Sequence, residues 1–288
     1  MQAERIAFMT IALIGTGRTA DRIAHRMRAA GHEPIVFAPA GAEAPSGAPG
    51  SIEEAIRPAG RVVLASELAG ETEDWLTQDS VTRLLAGRHL IDAGRHAPQE
   101  VRALAGQVTT AGGRYLEVAL QETIAGERLL VGGREEDYHS EIGILSALGR
   151  PEYLGPVGQV ATVRLALAQL GATMTGALAM SLGLVVREGV DPDRFLALLA
   201  CTPVHALQFD RQAPRMLAAR HDRDGGPDIA ELLLDLRAFT RSAVRHHLDT
   251  HQLVGLQHIV ELAQELGRSE EDSSALHATL CAEAPGHA

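Results

Sequence analysis

The sequence predicts an α/β chain: an N-terminal doubly wound sheet over residues 1–155, then a long interdomain helix and an all-α C-terminal domain over 156–288. Three observations predict it. Short apolar runs rich in β-branched residues recur as far as Gly133, with helical spacing between them, as in a parallel sheet covered on both faces. The stretch "GTGRTA", Gly15–Ala20, follows the first run and opens the first helical pattern. After Pro151 the texture turns to alanine, leucine and valine and stays helical.

Taken in order, Ile11–Ile14 is a short apolar run ending at glycine, the mark of a buried parallel strand. Arg18–Ala30 has helical spacing, with Ile23 and Met27 four apart, and Gly31 stops it. Glu33–Phe37 reads as a second strand, and "APAGAEAPSGAPGS" (38–51) as a loop within the domain. "RVVLAS" from Arg61 and "RHLIDAG" from Arg88 repeat the strand theme, with a helical segment at Ser80–Ala86 between them. "RYLEVAL" from Arg114 and "ERLLVGG" from Glu127 add two strands. Gly158–Glu188 reads as one helix, ~45 Å long at about 1.5 Å per residue. It is apolar nearly all round, so its own chain or a partner subunit must bury it. Helical patterns follow over Pro192–Ala200, Pro227–Asp249, Gln252–Leu266 and Glu270–Cys281, the last with Ser269 as its expected cap.

A chain of 288 residues, 45% hydrophobic and 22% charged, has room for two cores. Its net charge of −11 disfavours nucleic acid and anionic membrane as partners. No apolar run is read as a membrane span of ~20 residues, since "IAFMTIALIG" breaks at glycine and the long helical stretch is too polar for lipid. Cys201 and Cys281 stand far apart, which suits a reducing cytoplasm better than a disulfide framework. All 26 basic residues are arginine, and the chain has neither lysine nor asparagine. No lysine can therefore act as acid, base or Schiff-base nucleophile.

Gly15, Gly17 and Ala20 keep a GxGxxA spacing, the mark of a Rossmann-like dinucleotide-binding turn. Gly15 permits the tight strand-to-helix turn, Gly17 lets backbone approach a pyrophosphate, and Ala20 lets helix and sheet pack closely. Thr16, Arg18 and Thr19 surround the helix start, whose free N–H groups suit phosphate. Ser66, just past the third strand, completes the candidate cofactor-binding set. An acid at the end of the second strand would mark NAD and a basic cluster NADP. The residues there are Ala38, Pro39 and Ala40, so these positions leave the preference open.

Three motifs, in order and spacing, resemble the imine reductase branch of the 3-hydroxyacid dehydrogenase (6-phosphogluconate dehydrogenase-like) superfamily. "GGRYLEVAL" is similar to that branch's G-x-R-Y-L-D-G-A-I. "YLGPVGQVATVRLALAQLG" is similar to its YLGxDPGxAAxYDLALLxL, and "LGRSEEDSSAL" to its closing GHGxxDxAAL. The resemblance covers nearly the whole chain. It implies a domain-swapped homodimer whose C-terminal domain is the dimerisation domain and whose long helix crosses between domains. It also implies hydride transfer from NADPH, with NADH as the alternative cofactor, to the C=N bond of a small molecule.

Departures from that pattern bear on the chemistry. The hydroxyacid dehydrogenases carry a catalytic lysine on the long helix and an asparagine four residues on; the imine reductases place aspartate or tyrosine at the lysine's position. The matching positions here are Arg164 and Ala168. The substrate-binding serine falls near Gln121, and an aspartate four residues earlier becomes Glu117. Arg164, Glu117 and Gln121 are thus the candidate catalytic residues. "DAGRHAP" keeps only Asp92 and Pro98 of D-x-S-T-x-x-P, with Gly94 and Arg95 replacing Ser-Thr.

A guanidinium, with a pKa above about 12, is a poor proton donor and repels an iminium cation. It binds carboxylates bidentately and stabilises an oxyanion. Arg164 therefore points to an anionic substrate: an imine or enamine beside a carboxylate, or a keto acid. Its alternative role is an ion pair with a glutamate across the dimer. A proton would come from water, Glu117, Glu122, Tyr115 or a histidine of the partner subunit. His247 and His251 have metal-ligand spacing on an unbroken helix, but no third ligand sits at the right offset, and no metal is expected.

Three functions remain in play. The first is an NAD(P)H-dependent imine or enamine reductase of specialised biosynthesis. The second is a hydroxyacid or keto-acid dehydrogenase, against which the absence of lysine counts. The third is a reductase-like scaffold with a non-redox role as cyclase, isomerase or binding partner.

Overall fold

The computed structural model describes residues 10–15, 17–38, 48–65, 75, 78–204, 206–223 and 226–281. Two compact units divide the chain, Met1–Gln169 and Leu170–Ala288.

In the first unit the strands are β1 (Ile11–Gly15), β2 (Ile35–Phe37), β3 (Arg61–Ala65), β4 (His89–Asp92), β5 (Arg114–Gln121), β6 (Arg128–Gly133) and β7 (Pro151–Gly155). They form one sheet in the order β2-β1-β3-β4-β5-β6-β7. The helices are α1 (Gly17–Ala29), α2 (Ile52–Ile56), α3 (Asp79–Leu84), α4 (Pro98–Thr110), α5 (Glu135–Ser140) and α6 (Ile142–Leu148).

Alternation along each strand explains how one sheet takes cover on both faces. Leu13, Val63, Ile91 and Leu116 are register partners across four strands. They pack with Ile23 and Met27 of α1 and with Leu145 and Leu148 of α6. The neighbouring row Val62, Leu90 and Tyr115 packs with Ile52 and Ile56 of α2, Val81 of α3, and Leu104 and Val108 of α4. Each such side chain contributes roughly 1.5–3 kcal/mol on burial.

The parallel arrangement holds from β1 to β5. Then β6 returns antiparallel to β5, because the connection 122–127 is a tight turn in which Thr123 and Gly126 exchange backbone hydrogen bonds of 3.2 and 3.0 Å. A parallel crossover needs a dozen or so residues. Helix α4 is not among the elements expected from the sequence, although Val101, Leu104 and Val108 keep helical spacing and its start carries local signals. Pro98 sits in its first turn, and Glu100 Oε2 accepts from the Ala97 N–H at 2.6 Å.

The division between the units falls within α7 (Gln159–Arg187). The second unit continues with α8 (Pro192–Cys201), a π-helical stretch (Ala206–Gln212), α9 (Ala213–Leu217), α10 (Ile229–Arg245), α11 (His251–Glu265) and α12 (Ala275–Cys281). Ile229, Leu233, Val260, Ala263 and Ala275 form its buried centre. A capping box opens α10: Asp228 Oδ1 accepts from the Glu231 N–H at 2.8 Å, and Glu231 Oε2 accepts from the Asp228 N–H at 3.2 Å.

Three expectations need correcting. Helix α10 ends at Arg245, and His247 adopts a left-handed φ of 55°, so His247 and His251 do not share a helix face. The last helix starts at Ala275 rather than Glu270. Asp272, not Ser269, organises its approach: the buried carboxylate accepts from the Ser274 N–H at 2.9 Å and pairs with Arg211 at 3.5 Å and Arg215 at 3.8 Å. Finally, α7 is by length and composition apolar enough to cross a membrane, with a mean hydropathy of 1.4 over 18 residues. Its glycines, Gly171, Gly176 and Gly183, do not end the helix. Leu170, Met174, Leu178 and Val186 on it are exposed within the single chain.

Candidate functional site

The site grows from the carboxyl ends of β1, β4 and β5, where an open α/β sheet places its binding crevice. At the end of β1, Gly15 has φ 147° and Gly17 has φ 83°. A Cβ on Gly15 would run into the carbonyl oxygen of Ala65, so only glycine fits. Gly17 and Arg18 are exposed at the start of α1, Thr19 is half-buried, and Ala20 is buried against the sheet. The first-turn N–H groups of a helix lack acceptors of their own, and no acid sits in the first turn of α1. This backbone suits a diphosphate. Thr16, Ser66 and the loop 39–47 lie outside the described residues.

Beside this turn lies a cavity of about 300 Å³, at the small end of ligand-site volumes. Its polar lining is Thr19, Arg22, Gly94, Arg95, Gln121 and Arg164. Val118, Leu120 and Leu167 supply apolar wall. Arg22 is already committed: it pairs with Glu127 and with Glu122 at 3.7 Å, while Arg26 shares Glu127. Arg164 is half-buried and donates Nη2–H to the His96 carbonyl at 2.7 Å. Burial and then the neighbouring Arg95 push its guanidinium below the ordinary arginine range, with Glu117 opposing. Among the described residues, neither Arg95 nor Arg164 has a carboxylate within ion-pair distance.

Behind the cavity, Asp92 ends β4 in a buried knot. Its Oδ1 accepts from the Gly94 N–H at 2.7 Å, and its Oδ2 accepts from the Tyr115 hydroxyl at 2.7 Å. His96 Nε2 stands 3.3 Å from Oδ2. The knot fixes the turn that carries Arg95 and the carbonyl that holds Arg164.

Glu117 takes a different place. It faces Gly132 across the β5–β6 register, and a Cβ at Gly132 would lie 2.5 Å from Glu117 Oε1. In that space its carboxylate accepts the N–H groups of Gly158, Val160 (3.1 Å) and Ala161 (3.2 Å), closing the N-terminus of α7. Burial pushes the Glu117 carboxyl above the ordinary glutamate range; the three donors pull the other way, and Asp92 adds to the rise.

Of the sequence-derived candidates, the cavity therefore unites Arg164, Gln121 and Thr19, while Glu117 sits behind it as a helix cap. Gln121 Nε2 donates to the Glu122 carbonyl at 3.0 Å. Of the suggested proton sources, Tyr115 is buried on Asp92 and Glu122 is exposed beside Arg22. Arg95 was visible only as a departure from a motif. The Asp92–Tyr115 bond left no signal beyond two polar residues at strand positions.

Residues 1–130 match the family model described as D-isomer specific 2-hydroxyacid dehydrogenase, NAD binding domain. No curated protein matches the chain by sequence. Among solved structures, a variant of an imine reductase from Myxococcus stipitatus in complex with NAD+ aligns with a TM-score of 0.84 at 20% identity, covering 94% of this chain and 99% of that one. An imine reductase from Bacillus cereus aligns at 0.82 and 16% identity, covering 96% and 100%. A reductive aminase from Aspergillus terreus in complex with NADPH and ethyl levulinate aligns at 0.80 and 22% identity, covering 94% and 99%. The chain has the fold of these proteins.

Proposed function

We propose that this chain is an NAD(P)H-dependent reductase of a C=N bond, acting as a homodimer on a small, negatively charged imine or enamine in specialised metabolism. The observation that carries the reading is the two-glycine turn leading into α1 beside a small cavity bounded by Arg164. Gly15, Gly17, Arg18, Thr19 and Ala20 would hold the dinucleotide, which supplies hydride when bound. The family model and the ligands named with the neighbours support NADPH, with NADH as the alternative. Arg164 and Gln121 would orient the substrate. Exposed Leu170, Met174, Leu178 and Val186 on α7 support a second copy as the cover that this helix needs. The division of labour is a dinucleotide-binding domain over 1–155 and a dimerisation and substrate domain over 156–288.

A second reading, a dehydrogenase of a hydroxyacid or keto acid, draws on the family model over residues 1–130 and on the arginines of the cavity. The absence of lysine counts against it.

Titration with NADPH and NADH, followed by nicotinamide fluorescence and melting temperature, tests both. A nucleotide at about 100 times its Kd adds roughly 2.7 kcal/mol. NADPH consumption with cyclic imines is the expected result. Consumption with keto acids alone establishes the second reading, and no shift with either nucleotide leaves a non-redox scaffold.

A further inference from the structure

We propose that Arg95 and Arg164 form a two-guanidinium fork for a substrate carboxylate, so that the cavity selects small imines bearing a carboxylate next to the C=N bond. The fork stands on the cavity alone; the choice of imines over other carboxylates rests on the reductase reading.

Arg95 and Arg164 line one cavity of about 300 Å³, and the Arg95 charge disfavours that of Arg164. No acid of the described residues compensates either one at ion-pair distance. A half-buried guanidinium with no carboxylate at ion-pair distance is costly even with Glu117 acting on it from further off, and an incoming anion lowers that cost. Arg22 does not compete for the same role, because Glu122 and Glu127 already answer it. Arg164 spends one N–H on the His96 carbonyl and keeps others for a ligand. The Asp92 knot orders both arms at once: its bond to the Gly94 N–H shapes the turn bearing Arg95, and the same turn offers the carbonyl that pins Arg164. Planar guanidinium donors, of which Arg164 is already held in place, match the two oxygens of a carboxylate. The wall of Val118, Leu120 and Leu167 suits the apolar body of a small ring. The other anion within reach is a phosphate of the dinucleotide, and the experiment separates the two.

The test is calorimetric titration of the full-length protein with pyridine-2-carboxylate, a flat and unreactive probe, and with pyridine, each with and without NADP+. NADPH affinity is measured in parallel. The wild type is expected to bind the carboxylate and not pyridine. Arg95→Gln and Arg164→Gln are each expected to weaken the carboxylate roughly tenfold or more, the loss of one charge-assisted bond, with NADPH affinity held. Arg95 is exposed, so Arg95→Gln is the variant expected to fold without disturbance. Unchanged carboxylate affinity in Arg95→Gln overturns the fork. A selective loss of NADPH affinity in that variant overturns it too, by giving the arginines to a cofactor phosphate. Turnover of 1-pyrroline and 1-pyrroline-2-carboxylate completes the test. Equal use of both overturns the fork and leaves the reductase reading intact. A fork confirmed by titration with neither imine reduced overturns the imine assignment and the reductase reading while keeping the carboxylate site.

Discussion

Replacing Glu117 by Gln is expected to cost roughly 2–3 kcal/mol of folding stability while leaving nucleotide binding in place. The carboxylate accepts three backbone N–H groups: Oε1 takes Gly158 and Val160, and Oε2 takes Ala161. A glutamine carbonyl can keep the first two, but its amide nitrogen then meets the Ala161 N–H donor to donor. The loss is one hydrogen bond to a charged acceptor, about 1.5–3 kcal/mol, plus about 0.3–1 kcal/mol for a negative group at a helix N-terminus. Burying a neutral amide instead of a carboxylate returns part of this, consistent with a carboxyl already pushed upward by burial. Glu117→Ala leaves all three donors without an acceptor and is expected to cost about 4 kcal/mol, less than a sum of three penalties. Urea unfolding reads the difference as a shift in midpoint at constant slope. If Glu117→Gln matches the wild type within about 0.5 kcal/mol, the range of a neutral surface change, yet loses turnover, the capping argument is wrong and Glu117 belongs to the chemistry.

Other perturbations carry their own expectations. Gly15→Ala forces an L side chain to φ 147° and into the Ala65 carbonyl, a strain of about 1–3 kcal/mol, and is expected to abolish NADPH binding in a fluorescence titration. Glu141 is buried, which raises its carboxyl, but His89 Nδ1 at 3.0 Å and the Arg61 guanidinium outweigh burial and hold it below the ordinary range. Its folded value therefore lies below the unfolded one of about 4.3, so its stabilisation is full above that value and is lost as pH falls through the folded one. Melting temperatures from about pH 6 to about pH 3 should show a shallower acid decline in Glu141→Gln than in the wild type; parallel curves contradict the assignment. Leu178→Glu, on the exposed stretch of α7, is expected to convert a dimer to monomer in light scattering, and an intact dimer would remove the case for α7 as the shared face.

What could be read from the residues depended on the range of the interaction. Alternation such as Leu13–Ile14 and Val62–Val63 is local, and so the sheet and its two-sided cover were legible. The Gly15–Ala20 turn was legible because its geometry admits few residues. The antiparallel return of β6 was encoded in the short 122–127 connection, but apolar runs alone do not carry direction. The break at His247 is a single left-handed residue inside an otherwise helical pattern. Arg164 emerged from likeness to a motif, whereas Arg95 resembles any exposed loop arginine until its neighbours are known. Glu117 was noticed without its partners, since the N–H groups that it accepts lie 41 to 44 residues further along the chain.

Gly132 gives strand β6 a voice in ligand choice, although it lines no part of the cavity. Its missing side chain leaves the room in which a neighbouring strand's acid grips the first turn of α7, one turn before Arg164. A methyl group added there would propagate as a rotation or slide of that turn and re-aim a guanidinium it never meets. Selectivity in this architecture is thus adjustable from the back of the sheet, and searches for altered specificity gain by including strand positions remote from the opening.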